Sequence, residues 1–229
     1  MIHFSEKFTK QESFELPSAE NFKEIKPVLS TSSNIAKEFW NKIFDNKETA
    51  ADAFELSDEE IISEIYDRDE NEFEFDFDAN SPEIKDALLP FEKSTWEKLT
   101  ELEKATAIDN LTNILSDKLS LSEKPIVEFF EDNKNNCGCY VSGENKIRIN
   151  KNNFDNPNEV VDTIAHEMRH AYQYERANIG ETYMDILYRY NFANYIEPVK
   201  VDKKYVNFTD YQNQLVEAEA RAFAKLFKI

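Results

Sequence analysis

Glycine is nearly missing from this chain, with 3 residues in 229. Turns that depend on its left-handed freedom must be rare, so connections have to rest on Asn, Asp, Ser and Pro. Cysteine is as scarce: Cys137 and Cys139 stand one residue apart, which is too little chain for an unstrained bridge. No disulfide framework is expected, and synthesis in a reducing compartment fits. Nowhere does an apolar run approach the ~20 residues of a membrane helix, and the stretch from Met1 to Asp45 holds no apolar run followed by a small-residue cleavage site. The expectation is a cytoplasmic protein without a membrane partner. Positive charge is also in deficit, 27 Lys and Arg against 46 Asp and Glu, for a net charge of −19. Such a surface repels phosphate backbones, so nucleic acid is excluded as a partner.

Core material is plentiful. Hydrophobic residues make up 41% of the chain, and 18 Phe with 10 Tyr are enough for an ordered core without help from a disulfide or a partner. No repeat is visible at solenoid periods. Residues 1–85 read as an acidic N-terminal region. In it, Ser33 can cap a helix through Ile35, Phe39, Trp40 and Ile43, and Ser57 with Glu60 can open a second. Residues 72–78 alternate Phe with carboxylates, the pattern of a half-buried strand. Beyond it, Ser94 with Glu97 predicts a helix carrying Trp96, Leu99 and Leu102, and a further helix runs through Ile108, Leu111, Leu115 and Leu119. Residues 125–130 read as a buried strand, and Cys139–Val141 with Lys146–Ile149 as a hairpin closed by residues 142–145.

The chemistry begins after that hairpin. Asn156 as cap, Pro157 in the first turn and Glu159 at the third position specify a helix expected to reach about Tyr174. On it lies His166-Glu167-Met168-Arg169-His170, which holds two of the 3 His in the chain. Residues four apart share a helix face, so both imidazoles can bind one ion as neutral ligands. Glu167 beside them can take a proton from a water activated by the metal and deliver it to a leaving amine. Val161, Ile164, Ala165, Met168 and Ala171 form an apolar side suited to packing under a sheet.

A catalytic zinc needs a third protein ligand and an open position. No His follows His170, and the two Cys belong to a hairpin arm, so a carboxylate on a second helix is the remaining source. Thr209 with Gln212 can cap such a helix, which continues through the Ala-rich run from Gln214 to Ala224. Glu217 and Glu219 compete for the role. They stand about 160° apart around the helix, so only one can face the ion. An apolar arc of Leu215, Val216, Ala220, Phe223 and Phe227 encloses Glu219, which therefore needs a buried partner, metal, Arg or a backbone donor, so that amphipathicity alone favours Glu219 as the ligand.

The stretch "TIAHEMRHAY", Thr163 to Tyr172, resembles the active-site helix of gluzincin metallopeptidases, and "EAEARAFA", Glu217 to Ala224, resembles their second motif. The similarity covers about residues 90–229. It implies an α+β, zincin-like fold, a small mixed sheet packed on an active-site helix, with residues 86–229 as the metallopeptidase domain and a ligand-bearing helix at its end. The ligand Glu then maps onto Glu217, giving a Zn2+ ion held by His166, His170 and Glu217, with Glu167 as general base. The family usually sets an Asp four residues after that ligand to orient the first His; here the position is Arg221, and Asp162 could substitute. Tyr172, Tyr211 and Arg221 are possible donors to an oxyanion.

These readings predict a zinc metallopeptidase acting on protein or peptide substrates. The alternative is a catalytically weak or inactive zincin-fold protein that serves as an acidic protein-binding module.

Overall fold

The computed structural model describes residues 58–201 and 204–228, and the helix expected around residues 35–43 lies outside them. No described helix is long and apolar enough to cross a membrane. The order of elements is α1 (Asp58–Ile65), α2 (Pro82–Leu88), α3 (Lys93–Trp96), α4 (Glu101–Lys118), β1 (Ile126–Phe130), β2 (Gly138–Val141), β3 (Lys146–Asn150), α5 (Pro157–Ile179), α6 (Tyr183–Ala193), β4 (Lys200–Val201), β5 (Lys204–Tyr205), α7 (Phe208–Gln212) and α8 (Leu215–Ala224). This is a mixed α+β fold with a small sheet. It divides into two compact units, residues 70–175 with 219–228 and residues 58–69 with 176–218 among those described.

In the first unit the sheet runs β1-β3-β2. β1 lies parallel to β3, pairing Val127 with Ile147 and Phe129 with Ile149, and β2 lies antiparallel, pairing Cys139 with Arg148. The sheet is therefore mixed. Central β3 buries Ile147 and Ile149, while β1 is a half-buried edge whose Ile126 is 61% exposed. The expectation of a buried first strand is corrected by that edge position, since an edge strand keeps one flank toward solvent. The hairpin closes as expected. A 3₁₀ turn over Ser142–Glu144 leads to Asn145 at φ 46°, ψ 54°, a left-handed position that Asn tolerates where glycine is scarce. Asn150 fastens the loop ahead of β2. Its Nδ2 donates to the carbonyls of Asp132, Asn133 and Asn136 at 3.2, 2.9 and 2.7 Å, and its Oδ1 accepts from the Asp132 and Asn152 amides.

α5 packs under this sheet through the apolar side read from the sequence: Val161, Ile164, Ala165 and Met168 are fully buried and Ala171 nearly so. Ile108, Leu111 and Leu115 of α4 complete the same core. Trp96 sits in it as well, stacked on Phe91 at 4.9 Å and donating from Nε1 to the Phe154 carbonyl at 2.6 Å. Three further expectations change. The alternating Phe segment is no strand: it makes no ladder, yet Phe75 and Phe77 turn inward edge-on to Phe223 at 5.4 and 4.9 Å. Alternation reports which side is buried, not whether a neighbouring strand exists. The Ser94 box does not form either. α3 is a single turn with Glu92 at its cap position, and the capping box belongs to Thr100 and Glu103 at the head of α4, leaving Leu102 77% exposed. Finally, α5 continues five residues past Tyr174. It stops at Gly180, φ +69°, where a Cβ would stand 2.1 Å from the Arg189 guanidinium. Arg189 Nε donates to the Ala177 carbonyl at 2.7 Å, so an arginine caps the last turn.

The second unit is helical around α6. Thr182 and Asp185 form its capping box, α1 packs against it, and Tyr66 of the chain after α1 donates to the Asn194 carbonyl at 2.7 Å. α7 and α8 are separate helices, which corrects the start expected at Thr209. Asn207, not Thr209, occupies the cap position of α7, and the chain re-enters helix at Leu215. Gln214 holds that break, its Oε1 accepting from Asn191 Nδ2 and its Nε2 donating to the Ile196 and Tyr211 carbonyls. Asn191 Oδ1 in turn accepts the Val216 amide at 2.8 Å, satisfying one of the orphan donors in the first turn of α8.

Candidate metal centre

His166 and His170 lie one turn apart on α5 and are 0% and 3% exposed. Their rings meet edge to face at 4.6 Å with Nε2 to Nε2 at 2.9 Å. α8 reaches α5 through Glu219, whose Oε1 accepts from Arg169 Nη2 and whose Oε2 accepts from Gln173 Nε2, each at 2.6 Å. Two residues earlier on the same helix is Glu217. His166, His170 and Glu217 form a buried group that could hold a metal ion, with one ligand atom from each and all three atoms within 4.8 Å of one another. The donor set, two imidazole nitrogens and one carboxylate oxygen from buried side chains, is of the kind that metal ions take as ligands.

The opposition of Glu217 and Glu219 around α8 is realised. Glu217 joins the two His, and Glu219 has the buried partner that its apolar surroundings require, in Arg169. Arg169 is held by three rings, with its guanidinium carbon 4.3 Å from the centroid of Tyr172, 5.1 Å from Phe75 and 5.3 Å from Phe223. Tyr172 is thus engaged beneath Arg169, and Arg221 turns to Glu70 at 3.2 Å. Asp162, offered as a substitute partner for the first His, is solvent-exposed.

Two residues with roles here were not singled out from the sequence. Gln173 Oε1 lies 2.9 Å from Nδ1 of His170. Its position, seven residues after His166, puts it on the ligand face of α5, and that spacing was the available signal. Tyr195 donates from its hydroxyl to Glu217 Oε1 at 2.5 Å. Burial, and then the Glu217 carboxylate, push its phenol well above the ordinary range, so it stays a donor. No local pattern marks Tyr195, because it lies in irregular chain after α6.

Glu167 is fully buried, and its charge bears on Cys139 of β2. Burial first, and Glu167 second, raise that thiol to about 12; burial and Glu159 do the same to Cys137, whose Sγ lies 3.0 Å from the Glu159 carboxylate. Both cysteines are therefore protonated packing residues, as their hairpin position suggested. Comparison with protein-family models, curated proteins and solved structures finds no match for the chain.

Proposed function

We propose that the protein is a zinc-dependent metallopeptidase of zincin-like build, cleaving peptide bonds of protein or peptide substrates. The observation that carries the reading is the buried His166–His170–Glu217 group, with Glu167 inside the same motif. His166, His170 and Glu217 would hold the ion. When bound, zinc supplies Lewis acidity, which polarises a carbonyl and acidifies water. Glu167 takes the proton of the attacking water and passes it to the leaving nitrogen, a role worth about 10²–10⁴-fold in rate. Tyr195 keeps the Glu217 carboxylate oriented. Antiparallel β2, at one end of the sheet order, suits a substrate bound as an added strand.

Metal analysis and one variant test this. Purified protein is expected to contain one zinc per chain, and Glu167→Gln to keep it while losing cleavage of a denatured protein substrate by about 10²–10⁴-fold. Protein without zinc, or undiminished cleavage by the variant, sinks the proposal.

A second reading is favoured by one observation: His166, Glu167, His170 and Glu217 are each at most 3% exposed. A site closed to substrate suits a metal that supports the fold of an acidic binding module. Chelation would then unfold the protein rather than merely silence it.

A further inference from the structure

Glu219 takes no place among the ligand atoms, yet it decides the state of one of them. Its two oxygens accept from Arg169 and from Gln173 at 2.6 Å each. A carboxylate ion-paired with a guanidinium has no proton to give, so both neighbours must donate. Gln173 can donate only through its NH2 group, and this turns its carbonyl oxygen toward Nδ1 of His170 at 2.9 Å. An amide oxygen only accepts, so Nδ1 carries the proton, and in the neutral imidazole Nε2 is then bare. The bare nitrogen accepts from Nε2–H of His166 at 2.9 Å, on the side where the ligand atoms gather.

We infer that Arg169, Glu219 and Gln173 are positioning residues that lock His170 into the Nδ1–H tautomer and present its Nε2 as a metal donor before any ion arrives. The purpose assigned to this relay rests on the metal reading above; its geometry does not. The anchor is rigid, because the Arg169 guanidinium lies among Phe75, Tyr172 and Phe223 and the Arg169 and Glu219 side chains are only 11% and 5% exposed. The Gln173 amide cannot turn over, since its oxygen would then meet a carboxylate oxygen where both side chains are buried. The imidazole orientation is thus set by an ion pair on the far side of the amide, and it acts on the second His of the motif.

Two measurements on the full chain test the relay. In ¹⁵N NMR of metal-free wild type, His170 is expected to show a protonated Nδ1 and an unprotonated Nε2. Gln173→Met removes the acceptor while leaving the Arg169–Glu219 pair. It is expected to bind zinc 10–100-fold more weakly in competition with a chromophoric chelator, with the metal-free melting temperature as a fold control. A His170 proton on Nε2, or equal zinc affinity in variant and wild type, overturns the relay. Should Gln173→Met fail to fold, the wild-type tautomer decides alone. Failure of the metal reading looks different: wild type takes up no zinc while His170 still carries its proton on Nδ1.

Discussion

Asp185 accepts from Arg176 Nε and Nη2 at 2.8 and 2.6 Å and from the Glu181 and Thr182 amides at 3.0 and 2.9 Å, all while 2% exposed. Burial raises its carboxyl, but the hydrogen bonds from Arg176 and Thr182 outweigh burial and hold the group below the ordinary aspartate value. A depressed folded value means stability present above the unfolded pKa of ~3.9 and lost as pH falls through the folded one. Asp185→Asn should therefore cost about 1–3 kcal/mol at neutral pH, because it weakens the bonds accepted from two backbone amides and unpairs an Arg176 that is one quarter exposed. The gap from wild type should close below about pH 4. Urea unfolding of chelator-treated protein between pH 7 and 3 checks this, and a gap that stays constant with pH contradicts it. At Tyr195 the expectation concerns affinity. Tyr195→Phe removes one donor from Glu217 and should weaken zinc binding by about 10-fold, read by chelator competition.

The seating of the hairpin on α5 shows in one glycine. At Gly138 a Cβ would stand 2.6 Å from the Arg148 carbonyl oxygen and 2.6 Å from Cγ2 of Thr163. Backbone cannot yield as a flexible side chain can, so Gly138→Ala should destabilise by about 1–3 kcal/mol through overpacking. A loss under ~0.5 kcal/mol in urea would mean that β2 is not seated so closely. Such close approach is what the sequence hides. The helix carrying His166 and His170 was legible because cap, Pro and 3.6-residue periodicity all agree from Asn156 to Ala171, and the hairpin because its turn chemistry is local. The extent of β1 burial, the break at Gln214 and the helical end at Ile179 were not. Each depends on partners distant in sequence: β3 beside β1, Asn191 against Gln214, Arg189 over the end of α5. Within the site, the two His and the opposition of Glu217 to Glu219 follow from helical angles, whereas Tyr195 could be found only in three dimensions.

For the whole molecule, a ligand that binds only the folded chain adds stability by mass action. With free zinc at 100 times its dissociation constant the gain is about 2.7 kcal/mol, so the melting temperature should climb with zinc and stay flat in His166→Ala. A climb of equal size in that variant would place the ion elsewhere. The scale also has a built-in gauge. The chain has 2 Trp, Trp40 and Trp96, and Trp40→Phe would leave the latter as the only long-wavelength fluorophore. Trp96 is 1% exposed, stacked on Phe91 and hydrogen-bonded to the carbonyl of Phe154, three residues before Pro157 begins the helix that carries both histidines. Its emission should be blue in the native state and redden as that corner hydrates, giving an optical readout of whether the histidine helix is anchored at its origin.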